Sequence, residues 1–234
     1  MSSIAANIAH VRERISLACH RAGRSPEAVT LVGVTKGVDS DRIAEARRAG
    51  LVDFGENYYQ EVRGKMDHMP APVRWHFIGR LQSNKAKYVV GRFALVHSVD
   101  SAPLATELSR RAVASGVEQP VLVEVKLDTA HSRAGAAPDK ALDLAEMVAQ
   151  IPGLRLDGLM GITALDASPD QARETFALLR QLFAQLPPEN RRCLSMGMTQ
   201  DYEIAIEEGA TMVRIGTAIF GPRPVEGAVA VPAG

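Results

Sequence analysis

No stretch of the 234-residue sequence approaches the roughly 18–20 consecutive apolar residues that a membrane-spanning helix needs. The opening MSSIAANIAHVRERISLACHRAG likewise lacks the apolar core of an export signal. A soluble, cytoplasmic protein is therefore expected. Cysteine is scarce: Cys19 and Cys193 show neither CxxC spacing nor a framework of pairs, which excludes a disulfide scaffold and fits a reducing compartment. Both read as packing residues. An excess of one charge is missing too, with 27 Lys plus Arg against 27 Asp plus Glu, so no net field steers the chain toward nucleic acid or an anionic membrane. No GxGxxG follows the first strand candidate, no HxxH, HExxH or Cys/His cluster offers a metal site, and no GxSxG marks a nucleophilic serine. Small-molecule chemistry of another kind is what these absences leave.

What is present is a regular alternation. Ile4, Ile8, Val11, Ile15 and Ala18 recur at helical spacing over residues 4–18, an amphipathic opening helix. Eight short β-type runs follow: TLVGVT, LVDFG, VRWHFIG, ALVHSV, PVLVEVKL, RLDGLMGI, CLSMGM and TMVRIG. Helical patterns lie between them. One spans residues 40–49, capped by Asp39 or Ser40 and stopped at Gly50. Another spans 170–186, with Ala172, Phe176, Leu179, Phe183 and Leu186 in one stripe closed by Pro187 and Pro188. Strands that alternate with helices pair in parallel, and a count of eight favours a closed (β/α)8 TIM barrel over an open sheet. Residues 1–234 are expected to form one such domain, with PRPVEGAVAVPAG as a frayed tail.

Barrels of this kind build their sites at the carboxyl ends of the strands. That filter selects Lys36, Asn57, the segment His76 to Arg80, DTAHSR (128–133), SMGMT (195–199) and RIGT (214–217). The loops after strands 7 and 8 carry Ser195, Gly197, Met198, Thr199, Arg214, Gly216 and Thr217: hydroxyls, glycines that admit close backbone approach, and an arginine, as a phosphate requires. Lys36, at the end of strand 1, would face that cradle. A desolvated amine there can attack an aldehyde to form a Schiff base. Pyridoxal 5′-phosphate (PLP) and a phosphorylated sugar both fit this arrangement. His76 read alone suits a core hydrogen bond as well as a site, and Asp201 and Glu203 are expected to serve the N-terminus of the helix after strand 7.

The blocks FGENYYQE, WHFIGRLQSNK and SMGMTQDYEIAIEEGATMVRIGTAIFG, with VTK on strand 1, resemble the pyridoxal phosphate homeostasis protein family, through nearly the whole chain and in order. The resemblance implies a single fold-type III barrel similar to the N-terminal domain of alanine racemase. It implies Lys36 as the covalent anchor of PLP. It also implies Ser195, Gly197, Met198, Thr199, Gly216 and Thr217 as phosphate donors, Arg214 facing the pyridine nitrogen, and Arg133 near the phenolic oxygen. Asn57 and His76 join the expected cofactor-binding set. Gly37 and Asp39 replace a threonine and a proline common after the lysine, and Tyr59 replaces a smaller residue. Racemases add a second domain that supplies an opposing base, whereas only 18 residues follow Gly216 in this sequence. The expectation is a monomeric PLP carrier acting in vitamin B6 homeostasis, with PLP and PLP-dependent recipient enzymes as partners and neither nucleic acid nor membrane. The alternatives are a weak PLP-dependent racemase or other fold-type III enzyme, and a Schiff-base aldolase.

Overall fold

Side chains alternate between the two faces of a strand, so each β-type run has an inner and an outer set, and both must be covered. The computed structural model describes residues 3–66, 69, 72–127 and 134–222. In it all eight runs form parallel strands: β1 (Thr30–Val34), β2 (Asp53–Glu56), β3 (Arg74–Phe77), β4 (Leu95–Val99), β5 (Gln119–Val125), β6 (Leu154–Gly161), β7 (Cys193–Ser195) and β8 (Met212–Ile215). They follow one another in chain order around a closed barrel, and β8 pairs with β1 through registers such as Val32 with Arg214.

The helices are α1 (Ile4–Arg21), α2 (Ser40–Arg48), α3 (Tyr59–Met66), α4 (Ala102–Ala114), α5 (Pro138–Gln150), α6 (Pro169–Gln185), α7 (Tyr202–Glu207) and α8 (Thr217–Phe220). Between β3 and β4 the crossover is instead a 3-10 segment, Ser83–Tyr88. Asp39 is the cap of α2, accepting from the Arg42 N–H at 2.9 Å. Ser168 and Gln171 form a reciprocal capping box on α6. The buried stripe of α6 is Ala172, Phe176, Leu179 and Leu182. Phe183, expected in that stripe, packs only partly buried at its edge.

Outward strand residues and the inner faces of the helices share one core, which includes Phe54, Leu104, Leu108, Phe176 and Leu179. Inside the barrel, Val32, Leu95, Leu122, Met160, Cys193 and Met212 make a separate apolar cluster. Both cysteines are free and buried. Burial pushes the Cys193 thiol up to about 12, which makes it an inert packing group, as the sequence suggests. Helix α1 is tied to α7 by ion pairs from Arg14 and Arg21 to Glu203 and from Arg21 to Glu207. Arg24 caps carbonyls of Ile206 and Ala210. Among the described residues, no helix is long and apolar enough to cross a membrane, and no group of three or more His, Cys, Asp or Glu is placed to hold a metal ion.

Phe176 is fully enclosed between α6 and the sheet. Truncation there leaves a cavity as well as lost transfer energy, so Phe176→Ala is expected to cost about 3–5 kcal/mol. A urea titration reads this as a lowered midpoint with an unchanged slope.

Candidate functional site

Lys36 lies in the turn that ends β1, in phase with Val32 on the inner face of the strand. Its turn is gripped by α3. The Lys65 ammonium donates to the Thr35 carbonyl at 2.9 Å and to Glu56 Oε1 at 2.6 Å. The Thr35 hydroxyl donates to the same oxygen at 2.6 Å, and the Gly37 N–H donates to Glu61 at 3.3 Å. Burial raises the Glu56 carboxyl above its usual range, against the lowering effect of the bonds from Lys65 and Thr35. Lys36 itself is half-buried rather than enclosed. Its Nζ sits 5.1 Å from the centre of the Tyr58 ring, within range of a cation–π attraction.

Next to this turn stands the loop after β8, and beyond it the loop after β7. Gly197 adopts φ +92°, and a Cβ there would come within 2.6 Å of the Ala205 Cβ; glycine is required on both counts. Asp201 braces the loop by accepting from the Met198 N–H at 2.7 Å and from the Thr163 hydroxyl at 2.6 Å. Asp201 stands at the start of α7 as expected, with Glu203 in its first turn, but the Asp201 side chain makes no cap bond and instead cross-links two loops. Glu203 is drawn away to Arg14 and Arg21. The Met198 N–H is likewise already donated, so Met198 lines the site without offering that donor. An open cavity of about 500 Å³ is bounded by Val34, Thr163, Met198, Thr199, Arg214, Gly216 and Thr217, among others. At Gly216 a Cβ would stand 3.5 Å from the Cβ of Val34, which places the β8 loop directly beside the strand that carries Lys36.

Below the mouth, the barrel interior is polar on one side. Arg214 is 3% exposed and donates to Ser195 Oγ at 2.5 Å and to the Gly161 carbonyl at 3.0 Å. Ser195 Oγ is 3.0 Å from His97 Nδ1, His97 Nε2 is 3.1 Å from His76 Nδ1, and His76 Nε2 is 2.9 Å from Asp53 Oδ1. Arg74 closes the series with two bonds of 2.7 Å to the Asp53 carboxylate. Burial lowers Arg214 to about 10, partly offset by Glu124 and Asp201, so it stays charged at neutral pH. Burial, with the nearby Arg214 guanidinium, holds His97 well below the usual imidazole range. Burial pushes the Asp53 carboxyl up, but its bonds to His76 and Arg74 outweigh this and leave it below its ordinary value.

These interior bonds decide two expectations. Ser195 and His76 are enclosed in the barrel, with their polar atoms committed to protein partners, and are not brought to the anion cradle. A period-two pattern puts both on the inner face but does not say how deep they lie. Thr199, Arg214, Gly216 and Thr217 line one cavity with Val34; Lys36 follows two residues after Val34 with its Nζ toward the Tyr58 ring, and Gly197 shapes the β7 loop. Asn57 borders a neighbouring cavity of about 450 Å³ with Tyr58, Arg80 and Lys85, and its buried Oδ1 has no hydrogen-bond partner among the described residues. Arg133 and the rest of DTAHSR lie outside the described residues.

Residues 2–224 match the family described as alanine racemase, N-terminal domain. A pyridoxal phosphate homeostasis protein of Pseudomonas aeruginosa is 46% identical over 224 residues, covering 95% of this chain and 97% of that protein. That of Aquifex aeolicus is 41% identical over 220 residues, covering 92% and 96%. The chain belongs to the pyridoxal phosphate homeostasis protein family. Among solved structures, PipY of Synechococcus elongatus with PLP bound superposes with a TM-score of 0.83 at 35% identity, covering 94% of this chain and all of that one. An alanine racemase of Bartonella henselae shares the fold, with a TM-score of 0.73 at 15% identity, and 59% of its chain is covered.

Within this homeostasis-protein barrel, sequence motifs did not single out His97, Asp53, Tyr58 or Glu124. Each sits at an alternate strand position or in a loop, where only the three-dimensional neighbours reveal a role. Glu124, near the end of β5 and in phase with Leu122 on the inner face, is pushed up to about 7 by burial and by Asp100, against the pull of Arg214 and Arg80. Its folded pKa thus exceeds the ordinary value of 4.5. The native state therefore keeps a proton that the unfolded chain releases, and this contribution to stability is lost as pH rises from about 4.5 to 7. Glu124→Gln is expected to remove that loss and to gain about 1–3 kcal/mol over wild type at pH 8 relative to pH 4.5. Urea midpoints at the two pH values measure it.

Proposed function

We propose that this chain binds PLP reversibly as a Schiff base on Lys36, and holds and releases it for PLP-dependent recipient enzymes. The observation that carries the reading is the placement of the Lys36 turn beside the β8 loop at the carboxyl end of the barrel: an amine after one strand, and after its neighbours backbone and hydroxyl donors with a buried arginine. PLP supplies the two groups such a site takes, an aldehyde carbon for the amine and a phosphate for the donors. Covalent capture on the lysine proceeds by addition of Nζ to the aldehyde and loss of water, and hydrolysis reverses it. The bound form of the PipY relative and the shared name of the sequence relatives support the same ligand.

The residues present fit it. Thr199, Gly216 and Thr217 are the phosphate donors of this reading, and Gly197 lets the β7 loop turn close to them. Lys65 and Glu61 fix the direction in which the Lys36 turn presents its amine, while the Tyr58 ring flanks that amine. Asn57 brings an acceptor that lacks a partner. Arg214, charged and donor-only, would keep a pyridine nitrogen unprotonated and so weaken the ring as an electron sink. The carrier reading rests instead on the shared name of the homeostasis-protein relatives. A monomer suffices for such a role.

The decisive comparison is between the purified wild type and Lys36→Ala, each incubated with PLP and desalted. The wild type is expected to stay yellow and to be bleached by borohydride with PLP fixed to the Lys36 peptide, and the variant to carry no covalent PLP. A wild type that remains colourless, or an adduct fixed on another lysine, would sink the proposal.

A further inference from the structure

The polar groups inside the barrel admit one continuous assignment of hydrogens. Arg214 can only donate, so Ser195 Oγ accepts its N–H and turns its own O–H toward His97 Nδ1. His97 is then protonated on Nε2 and donates to His76 Nδ1. His76 in turn is protonated on Nε2 and donates to Asp53, which Arg74 holds from the amino end of the barrel. Every donor points the same way, and the series ends on a carboxylate. Protonating His76 at Nδ1 would leave two donors face to face at His97 unless the whole series reversed. That reversal would turn the Ser195 hydroxyl away from His97 and set two donors, from His97 and Arg214, on its oxygen.

We infer that Asp53, His76, His97 and Ser195 are positioning residues that act as one hydrogen-bonded series to fix the orientation of Arg214 at the mouth, across the width of the barrel. The inference rests on the reading that Arg214 faces the bound cofactor, but the series itself exists without it. Two buried imidazoles touching each other are otherwise a poor packing choice, since a core of Leu or Met would need no partners. Here each ring nitrogen has a partner, so the two rings carry the anchoring of Asp53 by Arg74 through to the Ser195 hydroxyl that accepts from Arg214. The groups that act on His97 come from several elements: His76 on β3, Ser195 on β7, Arg214 on β8 and, one step on, Asp53 on β2. Its buried surroundings favour a neutral ring.

Histidine-selective 15N NMR on the ligand-free protein tests the series independently of PLP. His97 should be neutral, protonated on Nε2 and unchanged between pH 6 and 8, and His76 should carry its proton on Nε2 with Nδ1 accepting from His97. In Ser195→Ala the His97 Nδ1 resonance should move, because it loses its donor. A proton on Nδ1 of either ring, or titration of His97 in that range, would overturn the inference even if PLP binds as proposed. The second arm uses the PLP-loaded protein. Ser195→Ala and Asp53→Asn should release PLP about 3- to 10-fold faster and shift the visible band, although Asp53 lies three side chains from Arg214. Ser195→Thr, which keeps the hydroxyl, should restore both. Variants that fold, load PLP on Lys36, and match the wild type in band position and release rate would contradict it. A wild type that takes up no PLP but shows the expected tautomers would leave the series standing and remove the function proposed above.

Discussion

A guanidinium enclosed in a barrel whose other inner residues include Val32, Leu95, Leu122, Met160 and Met212 is tolerable only where its N–H groups meet acceptors. Arg214 meets two, the Ser195 hydroxyl and the Gly161 carbonyl. Much of the inner architecture follows from that need. Ser195 requires somewhere to send its own proton, His97 takes it, and the requirement passes through His76 to Asp53. The polar half of the barrel is thus a consequence of placing one buried charge near its mouth, and the apolar half packs around what remains.

The same economy governs the loops. Lys36 projects from a turn that has little holding power of its own, so Lys65, Glu56 and Glu61 supply it from β2 and α3. Asp201 in turn leaves the helix it precedes and ties the β7 loop to Thr163. Two loops braced from outside the site can present an amine and a set of donors at a fixed separation, which favours a ligand carrying both an aldehyde and a phosphate.

The barrel was legible because its signal is local: eight short apolar runs, each followed by a turn or a cap, identify parallel strands without knowledge of their neighbours. The strand-end positions of Lys36, Gly197, Arg214 and Gly216 were legible for a related reason, since a strand end is read from where its apolar run stops. His76 and Ser195 were not, because alternation gives the face of a strand but not the register between strands. Only the placement of His76 two residues above Asp53's level, and beside His97, shows that its nitrogens are already engaged. The second role of Asp201 was hidden for a similar reason. Its position at the start of α7 is read from the sequence, but its bonds to Thr163 and Met198 depend on a loop contact invisible to spacing. Glu124 gave no motif at all, and its raised carboxyl depends on burial and on Asp100 arriving from the end of another strand, against the pull of Arg214 and Arg80.

The account joins a lysine, a pair of loops and a buried arginine into one PLP site, and a crystal structure of the PLP-soaked protein tests that union directly. It predicts density continuous with Lys36 Nζ, the phosphate seated against Thr199, Gly216 and Thr217, and the pyridine nitrogen facing Arg214. Density for PLP elsewhere on the barrel, or a ring turned so that its nitrogen faces away from Arg214, would contradict it.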